Sequence, residues 1–199
     1  MKKLGVFGGS FDPIHTGHLI VAQDVLCALS LDEIMFIPAC VPPHKKGIEL
    51  SETRHRLRMV EIATHNNPNF SASDMELKRG GVSYTIDTIR QLRSGLSADV
   101  ELFFIVGSDN IPDIQTWKEP WELVKLCKLV TIHRPGFRDI DILPELKEHV
   151  TSVAVTSVDI SSRDIRQRVR NGRPIRYLVP EEVERYILKE ELYKSARRS

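Results

Sequence analysis

Two histidines three residues apart, His15 and His18, close the run Gly8-Gly9-Ser10-Phe11-Asp12-Pro13-Ile14-His15-Thr16-Gly17-His18. The run follows a short apolar stretch at 4–7 and precedes a helical stripe, so it is expected to join a first strand to a first helix. Open α/β sheets bind ligands at that kind of junction, at the carboxyl ends of their strands. Gly8 and Gly9 let backbone N–H groups come close to a phosphate. Histidines three apart near a helix start project towards one anion, and their N–H groups suit charge on a transferring phosphoryl group. The plainer alternative is a glycine turn with one histidine capping and the other filling core. That fits an isolated His-x-x-His better than one placed by glycine loop, strand and helix together. Neither GxGxxG nor GxxxxGK[ST] occurs in the chain, which disfavours a dehydrogenase or a P-loop NTPase.

Further candidates lie downstream. Lys45 follows Pro42-Pro43-His44, a turn able to bring an ammonium over phosphates; taken alone it reads as a solvated lysine. Gly107-Ser108-Asp109 ends the apolar run 102–106, where Asp109 is suited to ribose hydroxyls or to a helix N-cap. Ser161, Ser162 and Arg166 combine a helix start with a guanidinium one turn on, an arrangement suited to phosphates and equally to a capped surface helix. Thr85, near another helix start, offers donors to a carboxylate. Trp117 offers a face to a flat heteroaromatic ring, although such a tryptophan is more often core. Arg134, just past a strand, is a weaker phosphate candidate.

These residues need a frame. Apolar runs rich in β-branched and aromatic residues at 4–7, 34–37, 102–106, 129–132 and 153–155 read as strands. Between them, Leu19, Ala22, Leu26 and Leu29 stripe one helical face after Thr16. Met59, Ile62 and Ala63 do so after Arg54, and Ile86, Ile89 and Leu92 after Thr85. Strand–helix alternation predicts an α/β fold, a doubly wound parallel sheet covered on both faces. Towards the end, Ser161 three residues before Asp164 starts a helix that carries Ile165 and Val169 inward and stops near Asn171-Gly172. Pro180-Glu181-Glu182 opens another, with proline near its first position. The expectation is a single domain over 1–199: an α/β core to about 158, a small helical subdomain over 159–193, and a tail at 194–199.

Composition narrows the partners. Lys+Arg 28 against Asp+Glu 27 leaves a formal charge of +1, so no global field calls for nucleic acid or an anionic membrane. An anionic substrate must be caught by local groups. Cys27, Cys40 and Cys127 form no CxxC pair; two lie in apolar stretches, which suggests small buried hydrophobes in a reducing compartment. Met1-Lys2-Lys3 has the charge of a signal-peptide head, but the apolar run stops at Gly8, and no segment reaches the ~20 apolar residues of a membrane span. A cytoplasmic chain is expected.

The His15-Thr16-Gly17-His18 segment resembles the His-x-Gly-His signature of the nucleotidyltransferase α/β-phosphodiesterase superfamily. More narrowly, the chain is similar to the bacterial nicotinate-nucleotide adenylyltransferase family. The likeness continues through Pro42-Pro43-His44-Lys45, His55-Arg56-Leu57-Arg58-Met59, Ser83-Tyr84-Thr85-Ile86-Asp87-Thr88, Gly107-Ser108-Asp109 with Trp117, Arg134-Pro135-Gly136, and Ile160-Ser161-Ser162 with Arg166. It spans Gly5 to about Tyr193, and departs at Arg163, where the family usually carries threonine.

The resemblance implies a Rossmann-like nucleotidyltransferase fold and adenylyl transfer from ATP to nicotinate mononucleotide, with pyrophosphate released. It implies catalytic roles for His15, His18, Lys45 and Arg166. ATP would be bound by Gly8, Gly9, Ser10, Phe11, His15, His18, Gly107, Asp109, Ile160, Ser161, Ser162 and Arg166. The acceptor would meet Ser10, Phe11, Lys45, Tyr84, Thr85, Trp117 and Arg134. Mg²⁺ would accompany ATP, held mostly by phosphates and water, because the sequence shows no carboxylate cage. The rival readings are another small-acceptor adenylyltransferase, such as the phosphopantetheine enzyme, and a non-catalytic nucleotide-binding module.

Overall fold

The computed structural model describes residues 1–43, 50–107, 113–133 and 144–194. Six parallel strands form one sheet: β1 (Lys3–Gly9), β2 (Glu33–Pro38), β3 (Phe70–Ala72), β4 (Glu101–Gly107), β5 (Lys128–His133) and β6 (Val150–Ala154). Their spatial order is β3-β2-β1-β4-β5-β6. The chain winds outward from β1 to β3 and then returns to start again at β4 on the other side. That reversal opens a crevice at the carboxyl ends of β1 and β4, where Phe7 pairs with Ile105.

Helices cover both faces: α1 (Thr16–Ala28), α2 (Thr53–Thr64), α3 (Met75–Arg79), α4 (Thr85–Gly95), α5 (Pro120–Leu126), α6 (Ser162–Arg170) and α7 (Glu181–Lys189). The strands read as unbroken apolar runs because both of their faces are buried. In β1, Phe7 joins a cluster with Val25, Phe36 and Val130, while Leu4 and Val6 join another with Ile89, Leu102 and Leu129. Ile165 of α6 and Val183 and Ile187 of α7 belong to the Phe7 cluster, so the C-terminal helices bury their apolar stripes on the sheet's own core.

The expected parallel, doubly wound architecture is present, with informative departures. The three-residue edge strand β3 has no apolar run, and α3 and α5 are too short to show a stripe. The last strand lies at 150–154 instead of 153–155, because an edge strand paired only with β5 leaves Thr151 and Ser152 exposed. In α1 the buried face centres on Ala22, Val25 and Leu26, with Leu19 and Leu29 at its margins. Ser161 caps α6 as expected, its Oγ accepting the Asp164 N–H at 3.1 Å, and Gly172 follows at φ 65°. Pro180 precedes α7 as its N-cap. Cys127 is buried, Cys40 half-buried, and Cys27 faces solvent. Among the described residues, no helix is long and apolar enough to cross a membrane.

Candidate active site

The loop after β1 is shaped by what it turns inward. Phe11 adopts φ 47°, and its ring is buried against Phe7 (centroids 5.7 Å apart) and His18 (5.2 Å). A Cβ on Gly9 would sit 3.0 Å from that ring, so any larger residue there would push the buried ring aside. Phe11 is thus a core side chain, and only its main chain is left to face a ligand. His15 and His18 stack with centroids 3.6 Å apart. Gly17 makes room for them, since a Cβ there would meet His15 Nδ1 at 3.1 Å. The backbone N–H of His15 donates to His18 Nδ1 at 3.2 Å, which puts the proton of neutral His18 on Nε2. His15 is 7% exposed, its Nδ1 has no hydrogen-bond partner, and burial pushes its pKa down to about 4. Near neutral pH this imidazole offers an N–H dipole, not a charge.

The C-terminal helices dock on this loop. Ser162 Oγ donates to the Pro13 carbonyl at 2.8 Å. Arg166 Nη1 donates to the Asp12 carbonyl at 2.6 Å and lies 4.0 Å from the Asp12 carboxylate. Ile160 approaches within 3.8 Å of the Cβ position of Gly17. Gly8, Gly9, Ser10, His15, His18, Ile160, Ser161, Ser162 and Arg166 therefore meet around one loop. The helix end and the guanidinium supply the positive charge that the neutral His15 imidazole lacks.

Beside the loop lies a cleft of about 420 Å³. Gly8, Gly9 and Ser10 form one wall, Tyr84, Thr85 and Trp117 the other, and Phe104 to Gly107 line the base. Trp117 meets Phe104 edge-on at 6.1 Å. Thr85 is the first residue of α4, whose N-cap Tyr84 makes no side-chain capping bond, so the helix start is uncapped by a side chain. Lys45, Asp109 and Arg134 lie outside the described residues.

The sequence matches the cytidylyltransferase-like family over residues 6–168. A Thermoanaerobacter sp. (strain X514) protein named probable nicotinate-nucleotide adenylyltransferase is 45% identical, the match covering 96% of this chain and 94% of that one. A Geobacillus thermodenitrificans (strain NG80-2) protein of the same name is 46% identical over 97% of this chain and 87% of its own. The chain belongs to the nicotinate-nucleotide adenylyltransferases. The Plasmodium falciparum nicotinic acid mononucleotide adenylyltransferase, solved in complex with NaAD, shares the enzyme's fold at a TM-score of 0.77 and 24% identity, covering 97% of this chain and 98% of that one.

Of four further residues at the enzyme's site, Lys118 and Glu76 carried no local signal strong enough to single them out, and Ser83 and Arg56 stood inside family motifs with no role of their own. Lys118, next to Trp117, holds its Nζ 5.0 Å over the Tyr84 ring and 2.9 Å from both Asp87 oxygens. Glu76, 6% exposed, lines the cleft and accepts the Thr88 hydroxyl. Ser83 Oγ accepts the Cys40 N–H at 2.8 Å and joins the Tyr84–Thr85 wall of the cleft to the segment just past β2. Arg56, only 1% exposed, donates to the carbonyls of Ser10 (2.9 Å), Ala39 (2.7 Å), Cys40 (3.2 Å) and Ser51 (3.0 Å). Burial lowers its pKa, and the Asp12 carboxylate opposes that shift. A signal for Arg56 did exist: it occupies a core position of α2 with Met59 and Val60, at spacings of three and four.

Proposed function

We propose that this adenylyltransferase joins the adenylyl group of ATP to nicotinate mononucleotide, forming the adenine dinucleotide and pyrophosphate. The observation that carries the reading is the continuity of two half-sites: the glycine–histidine loop with α6 docked on it, and a ring-sized cleft sharing Gly8–Ser10. The triphosphate would lie against the His15/His18 loop, the α6 start and Arg166. The mononucleotide would enter the cleft with its ring on Trp117 and its carboxylate at the start of α4, where Thr85 and Lys118 supply complementary groups. Lys45, Asp109 and Arg134 join this reading as expected phosphate and ribose contacts.

An acceptor phosphate oxygen attacks the α-phosphorus of ATP in line. The new O–P bond forms as the bond to the bridging oxygen of pyrophosphate breaks, and the electron pair leaves with pyrophosphate. The nucleophile is already ionised, so no protein base is needed, and catalysis rests on positioning and on donors aimed at developing charge. Among the described residues no cluster of three or more His, Cys, Asp or Glu could hold a metal ion. The loop's own buried carboxylate, Asp12, is occupied by Tyr193 and Ser51. Those residues fit Mg²⁺ bound through the triphosphate and water, where it would offset phosphate charge. Three unpaired cysteines suit the cytoplasm. The test is pyrophosphate release across nicotinate mononucleotide, nicotinamide mononucleotide and phosphopantetheine. Turnover with the first is expected; preference for phosphopantetheine, or no acceptor-dependent release, would overturn the assignment.

A further inference from the structure

The end of the chain returns to the phosphate loop. After α7, Glu191 and Tyr193 adopt φ 53° and 64°, and the Leu192 N–H donates to the Ile187 carbonyl at 3.0 Å. This turn sends the Tyr193 ring inward, where its hydroxyl donates to Asp12 Oδ1 at 2.7 Å and lies 4.0 Å from Met59 Sδ. Asp12 itself is 1% exposed, and its second oxygen accepts the Ser51 N–H at 3.2 Å. Arg166 is therefore held in an unusual way. It binds the carbonyl of Asp12 but stands 4.0 Å from Oδ2 of the same residue, the oxygen that already accepts the Ser51 N–H, while Tyr193 holds Oδ1; an arginine and a buried carboxylate this close normally pair through two bonds, one to each oxygen.

We propose that Tyr193 is a positioning residue for the triphosphate site: by occupying Asp12, its hydroxyl keeps that carboxylate from capturing Arg166. A carboxylate accepts through both oxygens, and a buried one left short of a donor takes the nearest available. Without the Tyr193 hydroxyl, Oδ1 loses its donor, and the Arg166 guanidinium, 4.0 Å from Oδ2, is within reach of both oxygens after a small shift. An ion pair between them would turn the guanidinium's fork inward and compete with phosphate oxygens for the same N–H groups. The hydroxyl suits the task because burial, and then the Asp12 charge, raise its pKa above the usual tyrosine value, so it remains a donor. The inference rests on the reading that Arg166 contacts ATP.

The test uses Tyr193→Phe, Arg166→Ala, the double variant, and Asp12→Asn in the Tyr193→Phe background. Affinity for a non-hydrolysable ATP analogue is measured by calorimetry, alongside KM for both substrates and Tm. Tyr193→Phe is expected to weaken the ATP analogue roughly five- to tenfold, a fraction of what a hydrogen bond to a charged group is worth, with acceptor KM unchanged. In the Arg166→Ala background the same change should cost less than about twofold, since the two residues act as one unit. Asp12→Asn should restore much of the lost affinity, because a neutral amide does not capture a guanidinium. A fall in Tm with unchanged ATP affinity would make Tyr193 merely structural and overturn the proposal. So would equal losses with and without Arg166. Unchanged ATP affinity in Arg166→Ala itself would instead remove Arg166 from the triphosphate site, and the proposal with it.

Discussion

The two histidines share a stack but divide the work. His18 has its tautomer set by the His15 backbone N–H, so its Nε2 proton is fixed as a donor before substrate arrives. Losing one such preorganised donor costs on the order of a hundredfold in turnover. His18→Ala is therefore expected to lower kcat by about that factor while circular dichroism stays unchanged; undiminished kcat would make the stack a packing feature. His15 makes a different prediction. Its pKa in the folded chain, about 4, lies below the ordinary value of 6.5, so the fold favours the neutral ring. The stability gained this way is complete above about pH 6.5 and drains away as pH falls towards 4, up to about 3 kcal/mol. Thermal melts across that window should show wild type losing stability faster than His15→Gln. Parallel curves would mean that His15 titrates normally.

On the proposed reading, the start of α4 is where one element would decide specificity. The acid and amide forms of the acceptor are nearly the same size, so charge and donor count must separate them. An N-terminus without a side-chain cap presents N–H groups and a partial positive charge, and the Lys118 ammonium beside Tyr84 offsets the Asp87 carboxylate of the helix's first turn. An amide NH₂ would set donor against donor, at about 1–3 kcal/mol per buried group. Nicotinate mononucleotide should therefore be preferred by about 10- to 100-fold in kcat/KM. Trp117→Ala should weaken both acceptors alike, and Thr85→Ala should narrow the ratio. A wild-type ratio near one would remove the helix-terminus argument. The same element shows why part of the site was legible in sequence: Ser83–Thr88 sits at a helix start whose stripe, Ile86, Ile89 and Leu92, is periodic. The glycine–histidine loop was legible for the same reason, since strand and helix flank it directly. Lys118, Glu76 and Tyr193 were not, because their partners lie 31, 12 and 181 residues away and no local pattern encodes such pairings. β3 and α3 escaped because three and five residues cannot display a period.

At the scale of the whole molecule, both half-sites depend on one buried guanidinium. Arg56 binds the carbonyls of Ser10 in the phosphate loop, Ala39 and Cys40 past β2, and Ser51 at the approach to α2, segments up to 46 residues from it in sequence. A trans peptide directs its C=O and N–H oppositely, so each carbonyl held by Arg56 aims the next N–H the other way. For Ala39 the result is visible: the Cys40 N–H reaches Ser83 Oγ, beside Tyr84 and Thr85. For Ser10 the same geometry turns the Phe11 N–H away from Arg56. One residue thus holds the glycine–histidine loop and the Ser83–Thr85 wall of the cleft together. Arg56→Lys keeps the buried charge but replaces a planar fork with a single ammonium of three donors, too few for four carbonyls. Leaving a buried acceptor unpaired costs about 1–3 kcal/mol, so Tm should fall by roughly 2–12 °C for a chain of this size. Steady-state kinetics should show kcat/KM falling for ATP and for the mononucleotide by similar factors, unlike Arg166→Ala, which should weaken ATP more than the acceptor. A loss confined to one substrate would show that Arg56 serves only that half-site, and that the other is held by its own contacts.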